Sequence, residues 1–513
     1  MNKLKRLTIL MILVISTLVA AVNEEPIHWS VIQKIMEEGF NNSHIMEDVG
    51  YMTDVFGHRL AKSSSYLASA KWAKKKFEEY GLANVLLDPY EFGIGWELEF
   101  TSVNMISPQY MPIIAYPKAW SSPTKGKRRG PAVFINFEAI NSMQDLNQYK
   151  GKLRDAIIFS APKRVLLPNF KPDAVLLSKE RLDEMAQISI IPEPHDRKTR
   201  NVQTDGLPRQ KIIEFLLSEG ITAIATLDQV YDDGTVMVTL VSRNAWKKGA
   251  PKQPTSFVLA AEHYNRIIRL LEKEIPVEME VELRASYTDK NLTDYNVIAE
   301  LTGSDLADEV VIIGAHLDGH IAGTSAEDNA TGAAQVMEAA RILKAIGVKP
   351  RRTIRFALWG GEETGHVGSR AYVAKHYFNH DTKKILPEHE KFSGYFNLDY
   401  GTGKIRGIYL MGNMQAMPIM TEWMKPFHDL GMIKTILVPG EDIGSDHAQF
   451  ETVGLPIFPF LQDPVENDSR SFHSNMDVFD RIIPEYLIQG AVIAAGFVYH
   501  AAMRDELLPR KYF

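Results

Sequence analysis

The sequence predicts an α/β protein in which a mixed, mainly parallel central sheet is flanked by helices and interrupted by a β-rich insert. Three observations predict it. The runs VVIIGAHLD (310–318), TIRFALW (353–359), GYFNLDY (394–400) and GLPIFPF (454–460) are short, apolar and rich in β-branched or aromatic residues, as strands buried on both faces are. Between the first two lies DNATGAAQVMEAARILKAIG, where Ala333, Val336, Ala340 and Leu343 share one helical face and Gly347 and Pro350 follow as stop signals. Strand, helix, strand in this order implies a sheet covered by helices. Third, residues 116–253 break the pattern with short β-rich runs, PAVFINF, KLRDAIIFSAP, ITAIATL and GTVMVTL, separated by turns and by a polar segment carrying Pro192, Pro194 and HDRKTRN.

The remaining elements follow in chain order. Tyr66, Ala70, Ala73, Phe77 and Tyr80 recur at helical spacing, with Ser63-Ser64-Ser65 as a cap and Gly81 as a stop. A strand-like run, Asn84 to Leu87, comes next, and a helix-like stretch, Glu262 to Glu274, follows the insert. With 513 residues the chain exceeds what one hydrophobic core of about 250 to 300 residues holds. The expected organisation is a signal peptide at 1–21, the first part of the main domain at 22–115, the insert at 116–253 and the rest of the main domain at 254–513.

The N-terminus combines Lys3, Lys5 and Arg6, an apolar run from Leu7 to Val22 and the small residues Ala20 and Ala21, the layout of a cleavable secretory signal. Its run is short for a membrane anchor and is interrupted by Thr8, Ser16 and Thr17. An exported protein, periplasmic or secreted, is therefore expected, with no membrane association after cleavage; no later stretch reads as long and apolar enough to span. The formal net charge is -7, and removing the basic leader makes the chain more acidic, which argues against nucleic acid as a partner. There is no cysteine, so disulfides and thiolate metal sites are excluded, and any metal must be held by His, Asp and Glu.

Such residues collect just past the apolar runs, where open α/β sheets gather reactive groups. They are His316 and Asp318, then Glu362 and Glu363, then Asp399, with Asp328 at the start of the following helix and His473 in SFHSNMD. Singly, each has an ordinary reading as a loop residue or a helix cap. Together, imidazole and carboxylate donors in pairs suit a two-metal site.

The stretches AHLDGH, EDNATGAAQVME, WGGEETGHVGSRAY, NLDY, GSDHAQFETVGLP and FHSNMD resemble the co-catalytic zinc exopeptidases, a family that takes in bacterial leucyl aminopeptidases, carboxypeptidase Q and glutamate carboxypeptidase II. KGKLRDAIIFSAP and GITAIATLDQV are similar to a protease-associated domain. The resemblance implies a zinc-aminopeptidase-like fold and two Zn2+ ions. His316 and Asp399 would hold one ion, Glu363 and His473 the other, and Asp328 would bridge them. Glu362 would be the general base, and Asp318 would accept a hydrogen bond from the His316 imidazole and fix its tautomer. The tyrosine that some members of that family place near this stretch to bind the oxyanion has no counterpart in EDIGSDHAQF, where Ser445, Asp446 and His447 could position substrate or support the site.

His320 and His366 are read as loop or helix-face residues, and His376, His380, His389 and His428 as surface groups. The expected function is hydrolysis of peptide substrates by an exported metallo-exopeptidase, an aminopeptidase first. The alternatives are a carboxypeptidase or dipeptidase resembling carboxypeptidase Q, and a non-catalytic, receptor-like relative.

Overall fold

The computed structural model describes residues 25–187, 207–439 and 444–511. The leader at 1–21 and the Pro192, Pro194 and HDRKTRN stretch lie outside these described residues.

Two eight-stranded sheets organise the chain. In the central sheet the strand order is Ala83–Glu91, Thr293–Leu301, Arg352–Trp359, Leu306–His316, Phe392–Asn397, Ile457–Gln462, Ile405–Tyr409, Lys434–Ile436. Its middle four strands are parallel to one another, from Arg352–Trp359 through Ile457–Gln462. The flanking pairs Thr293–Leu301 with Arg352–Trp359 and Ile405–Tyr409 with Ile457–Gln462 are antiparallel, so the sheet is mixed with a parallel centre. The four runs singled out in the sequence are these central strands, and their side chains are buried on both faces.

Helices supply that burial. Thr331–Ala345 is buried along nearly its whole length, and it packs against both Leu306–His316 and the C-terminal helix Pro484–Met503. Helix Ser64–Glu79 begins where expected, with the Ser63 hydroxyl accepting the Tyr66 N–H at 3.1 Å. Pro484–Met503 corrects one expectation: it is long and apolar enough to cross a membrane by length and composition. Yet 83% of its most apolar window is buried against the rest of the protein, as in a core helix that is apolar all round. His389 is also buried rather than on the surface, its Nε2 lying 2.9 Å from the Val453 carbonyl.

The second sheet runs Met111–Pro112, Gly95–Ser107, Glu278–Thr288, Arg128–Phe134, Ile157–Phe159, Ala223–Leu227, Ser256–Leu259, Ala115–Pro117. The expected insert boundaries of 116 and 253 therefore fall inside this sheet. The long antiparallel ribbon Gly95–Ser107 with Glu278–Thr288 extends it at both chain ends, and Ser256–Leu259 joins its parallel part.

Candidate metal centre

The predicted residues meet at the carboxyl ends of the parallel strands. His316 ends its own strand, and its Nε2 lies 3.0 Å from Asp328 Oδ1 and 3.1 Å from Asp399 Oδ1. His473 Nε2 lies 3.2 Å from the other Asp328 oxygen and 3.1 Å from Glu363 Oε2. A single carboxylate, Asp328, thus offers one oxygen to each histidine, with Asp399 on one side and Glu363 on the other.

Each donor is held from behind. The peptide joining Asp328 to Asn329 is cis, and the Glu327 and Asp328 amides donate to the Asp477 carboxylate at 2.5 and 3.1 Å. Arg59, fully buried, donates to the carbonyls of Leu317, Thr324 and Ser325, tying down both ends of the loop that separates His316 from Asp328. Ser445 donates to Asp399 Oδ2 at 2.5 Å and accepts from Asn397 Nδ2 at 3.3 Å. Ser445 is therefore a support for a donor. The Asp446 carboxyl accepts from Ser369 at 2.5 Å, so it does not orient the neighbouring Ser445 or His447 as a triad would.

Asp318 departs from its expected role. The His316 Nδ1–H donates to the Asp318 backbone carbonyl at 2.9 Å, whereas the Asp318 carboxylate stands 3.7 Å away. That carboxylate instead accepts the backbone N–H groups of Glu362 at 3.0 Å and Glu363 at 3.3 Å. It fixes the turn that presents the two glutamates, while the tautomer of His316 is set by a main-chain oxygen. Burial, with the Glu363 charge adding to it, pushes the Asp318 carboxyl up to about 6.

The turn itself explains the Gly360-Gly361 pair before the glutamates. A Cβ on Gly360 would lie 2.1 Å from the Tyr66 hydroxyl and 2.5 Å from that of Tyr90, and Gly361 has φ +72°. Only glycine lets the chain leave the Trp359 strand end so close to these two buried tyrosines.

Glu362 and Glu363, adjacent in sequence, sit in opposite electrostatic environments. Burial, reinforced by Asp399, Glu363 and Asp318 and opposed by His316, pushes the Glu362 carboxyl well above the carboxylate range. Burial acts on Glu363 too, but the imidazoles of His320 and His473 outweigh it and hold that carboxyl well below the range. One glutamate is disposed to carry a proton and the other to stay ionised.

Two histidines read as bystanders belong to this cluster. His366 Nε2 lies 3.0 Å from Glu362 Oε1, and Gln449 Nε2 faces His366 Nδ1 at 3.1 Å. The amide donates to Nδ1, which leaves the Nε2–H for Glu362. His320 Nε2 lies 2.9 Å from Glu363 Oε2. Sequence carried little sign of either, because His366 reaches Glu362 only through its left-handed φ of +57° and His320 sits in an irregular loop.

The donor set fits divalent ions. Three groups of imidazole and carboxylate atoms converge: His316 with Asp328 and Asp399, His320 with Glu363 and His473, and His316 with Glu362 and Glu363. Glu363 Oε1 is buried with no hydrogen-bond partner, so the protein's own hydrogen bonds leave this carboxylate partly unsatisfied. A cavity of about 550 Å³ opens onto it. The cavity is lined by Glu327, Asp328, Glu362, Glu363, Asp399 and Asp468, by the apolar Leu177, Met185, Phe460, Leu461 and Phe472, and by His447. Burial pushes the His447 imidazole down to about 3, so it is neutral.

The second sheet's domain reaches this centre. The Val238 amide donates to the His473 carbonyl at 2.9 Å, the Tyr231 hydroxyl to the Phe472 carbonyl at 3.2 Å, and the Val236 amide to Asn475 Oδ1 at 2.6 Å. Helix Lys179–Met185 brings Arg181 and Met185 to the cavity wall.

An α/β sheet whose strand ends converge on imidazoles and carboxylates, one carboxylate shared, defines a metal-dependent hydrolase. Comparison with known proteins narrows the class. A model of Peptidase family M28 matches residues 296–498, the segment holding every candidate metal ligand named above. The chain is 24% identical to carboxypeptidase Q of Bos taurus over 95% of its length and 92% of that protein. It is 34% identical to leupeptin-inactivating enzyme 1 of Streptomyces exfoliatus over 34% of this chain and 36% of that one. Among solved structures, a Peptidase M28 precursor from Shewanella amazonensis superposes with a TM-score of 0.67 at 23% identity, covering 94% of this chain and 99% of that one. BSAP, a zinc aminopeptidase from Bacillus subtilis, gives a TM-score of 0.57 at 18% identity, covering 90% and 95%. At these identities the structural matches establish the shared fold.

Proposed function

We propose that this peptidase is an exported, two-zinc aminopeptidase, in which His316 and Asp399 would hold one ion, His473 and Glu363 would hold the other, and Asp328 would offer an oxygen to each. The single observation that carries the two-ion reading is the Asp328 carboxylate, with one oxygen turned to each histidine at 3.0 and 3.2 Å. Zinc supplies Lewis acidity toward the scissile carbonyl and lowers the pKa of water. Glu362 is the general base. It takes the proton of the attacking water and returns it to the leaving amine, a role matched to a carboxyl with a raised proton affinity. His366 orients it through Oε1. Asp318 keeps both glutamates in register through their amides. His447, neutral and facing the cavity, is the candidate donor to the oxyanion, in place of the tyrosine of some family members.

The charge of the cavity supports action at a free N-terminus. Of the six carboxyls lining it, Asp328, Glu363 and Asp399 are assigned to the ions and Glu362 to proton transfer; Glu327 and Asp468 remain to meet a substrate ammonium, and Arg181 is the only Lys or Arg among the described lining residues. Arg181 is mostly exposed and pairs with Glu184 at 3.3 Å. A substrate ammonium suits such a wall better than a substrate carboxylate. A second reading, a carboxypeptidase or dipeptidase, draws on the likeness to carboxypeptidase Q along nearly the whole chain. Free dipeptides, N-acetylated peptides and C-amidated peptides separate the two. The aminopeptidase reading expects C-amidated substrates to be cleaved and N-acetylated ones spared; the reverse pattern overturns it. Export rests on the leader, and the domain of the second sheet is assigned as the protease-associated insert.

A further inference from the structure

We propose that His320 is a third histidine ligand of this centre, joining His473 and Glu363 on the ion that they hold. The inference rests on the two-ion reading above and extends its ligand set.

His320 Nε2 approaches Glu363 Oε2 at 2.9 Å. The other donor pairs of the cluster, His316 with Asp328 and Asp399 and His473 with Asp328 and Glu363, stand at 3.0, 3.1, 3.2 and 3.1 Å. Donors about 2.0–2.2 Å from a shared zinc ion are separated by roughly this much, so His320 is spaced as the other donors are. Its Nε2, His473 Nε2 and a Glu363 oxygen form one compact group of possible ligands, and the two imidazole rings meet edge to face with centroids 4.1 Å apart. Both rings are directed at one Glu363 oxygen, Oε2, while the other, Oε1, is buried with no hydrogen-bond partner.

The rest of the His320 ring is uncommitted. The side chain is only 6% exposed, and its Nδ1 has no hydrogen-bond partner, so Glu363 is its sole polar contact among the described residues. A buried imidazole whose one polar neighbour is a metal-binding carboxylate is directed at the metal. The loop places it there deliberately: Arg59 ties the carbonyls of Leu317 and Ser325 on either side, and the Ser325 hydroxyl donates to the His320 carbonyl at 3.1 Å. The resulting centre is asymmetric. One ion has a single imidazole, His316, and the other has two, His320 and His473, so zinc is retained more firmly at the second.

The test is a crystal structure of the zinc-loaded full chain, with a competitive chelator titration of wild type and His320→Gln. The expected result is an ion about 2.0–2.1 Å from His320 Nε2 as well as from His473 Nε2. In the titration, one of two zinc equivalents should bind at least about 10-fold more weakly in the variant while the other is unchanged. Two ions with His320 Nε2 still hydrogen-bonded to Glu363 and beyond bonding distance from zinc would overturn the assignment and leave the two-ion reading standing. A chain that takes up only one zinc, or none, would overturn both. The crystal structure of the native sequence decides the matter even if the variant does not fold.

Discussion

The central sheet and the second sheet contribute to one cavity in different ways. Every imidazole and carboxylate of the metal cluster comes from the segments that follow the parallel strands, or from the loop at His473. The second sheet's domain supplies none of them. It grips the His473 loop through the main chain of Val236 and Val238 and adds apolar wall through Leu177 and Met185. The contrast separates chemistry from placement. Strand ends give donors a rigid base, whereas a donor on a loop, His473 with its φ of +54°, needs a second domain to hold it.

That contrast can be broken at either side. The largest effect is expected on the chemical side: Glu362→Gln keeps the shape and removes the base, and kcat should fall by about 10²–10⁴-fold with KM little changed. Steady-state kinetics on a C-amidated peptide would show this, and a loss under about 10-fold would remove Glu362 from the proton transfer.

A smaller effect is expected on the placement side. Asn475→Ala removes the acceptor of the Val236 amide, which lies 2.6 Å away, along with the Asn475 donor to the Gly234 carbonyl at 3.2 Å. Neither group touches the cluster, so zinc affinity should weaken by about 10-fold, within the range seen when residues behind a ligand are lost. Unchanged affinity in a chelator titration would show that the second sheet's domain merely borders the site.

The scaffold behind the central sheet gives the smallest expected effect on function and a measurable one on stability. His500, on the C-terminal helix, lies between the Gly496 carbonyl at 2.8 Å from Nδ1 and the His28 amide at 3.3 Å from Nε2. Burial pushes its imidazole down from 6.5 to about 4. The unfolded chain therefore binds the proton first as pH falls, and stability is lost between about 6.5 and 4, by on the order of 3 kcal/mol from this group. His58, also lowered to about 4 by burial, acts with the same sign. Denaturant unfolding at pH 7 and pH 5 should show a shallower acid loss for His500→Gln than for wild type; equal losses would refute the assignment.

Much of this was legible in sequence because it rests on local patterns. The four apolar runs became the parallel strands, and their polar C-terminal neighbours converged because parallel strands deliver their ends to one edge. What was not legible depends on long-range meetings. Asp477 holds the Glu327 and Asp328 amides from about 150 residues away, and Arg59 reaches Leu317 from 258. No periodicity marks such residues. Asp318 stands out by its place just past an apolar run, but that place does not reveal that its carboxylate turns to the next strand end and serves the glutamates. His320 and His366 were visible as residues and overlooked as participants, since an isolated loop histidine carries no pattern. The C-terminal helix was missed because a segment that is apolar all round shows no amphipathic stripe.

The proposed division of labour lies between two neighbouring carboxylates, Glu362 for the proton and Glu363 for the metal. Zinc content per chain, measured on wild type, Glu362→Gln and Glu363→Ala after equilibration with limiting chelator, tests it directly. Two zinc ions are expected in wild type and in Glu362→Gln and fewer in Glu363→Ala, with peptide hydrolysis at full rate only in wild type. Loss of zinc from Glu362→Gln to the same extent as from Glu363→Ala would contradict that division, since both glutamates would then be ligands.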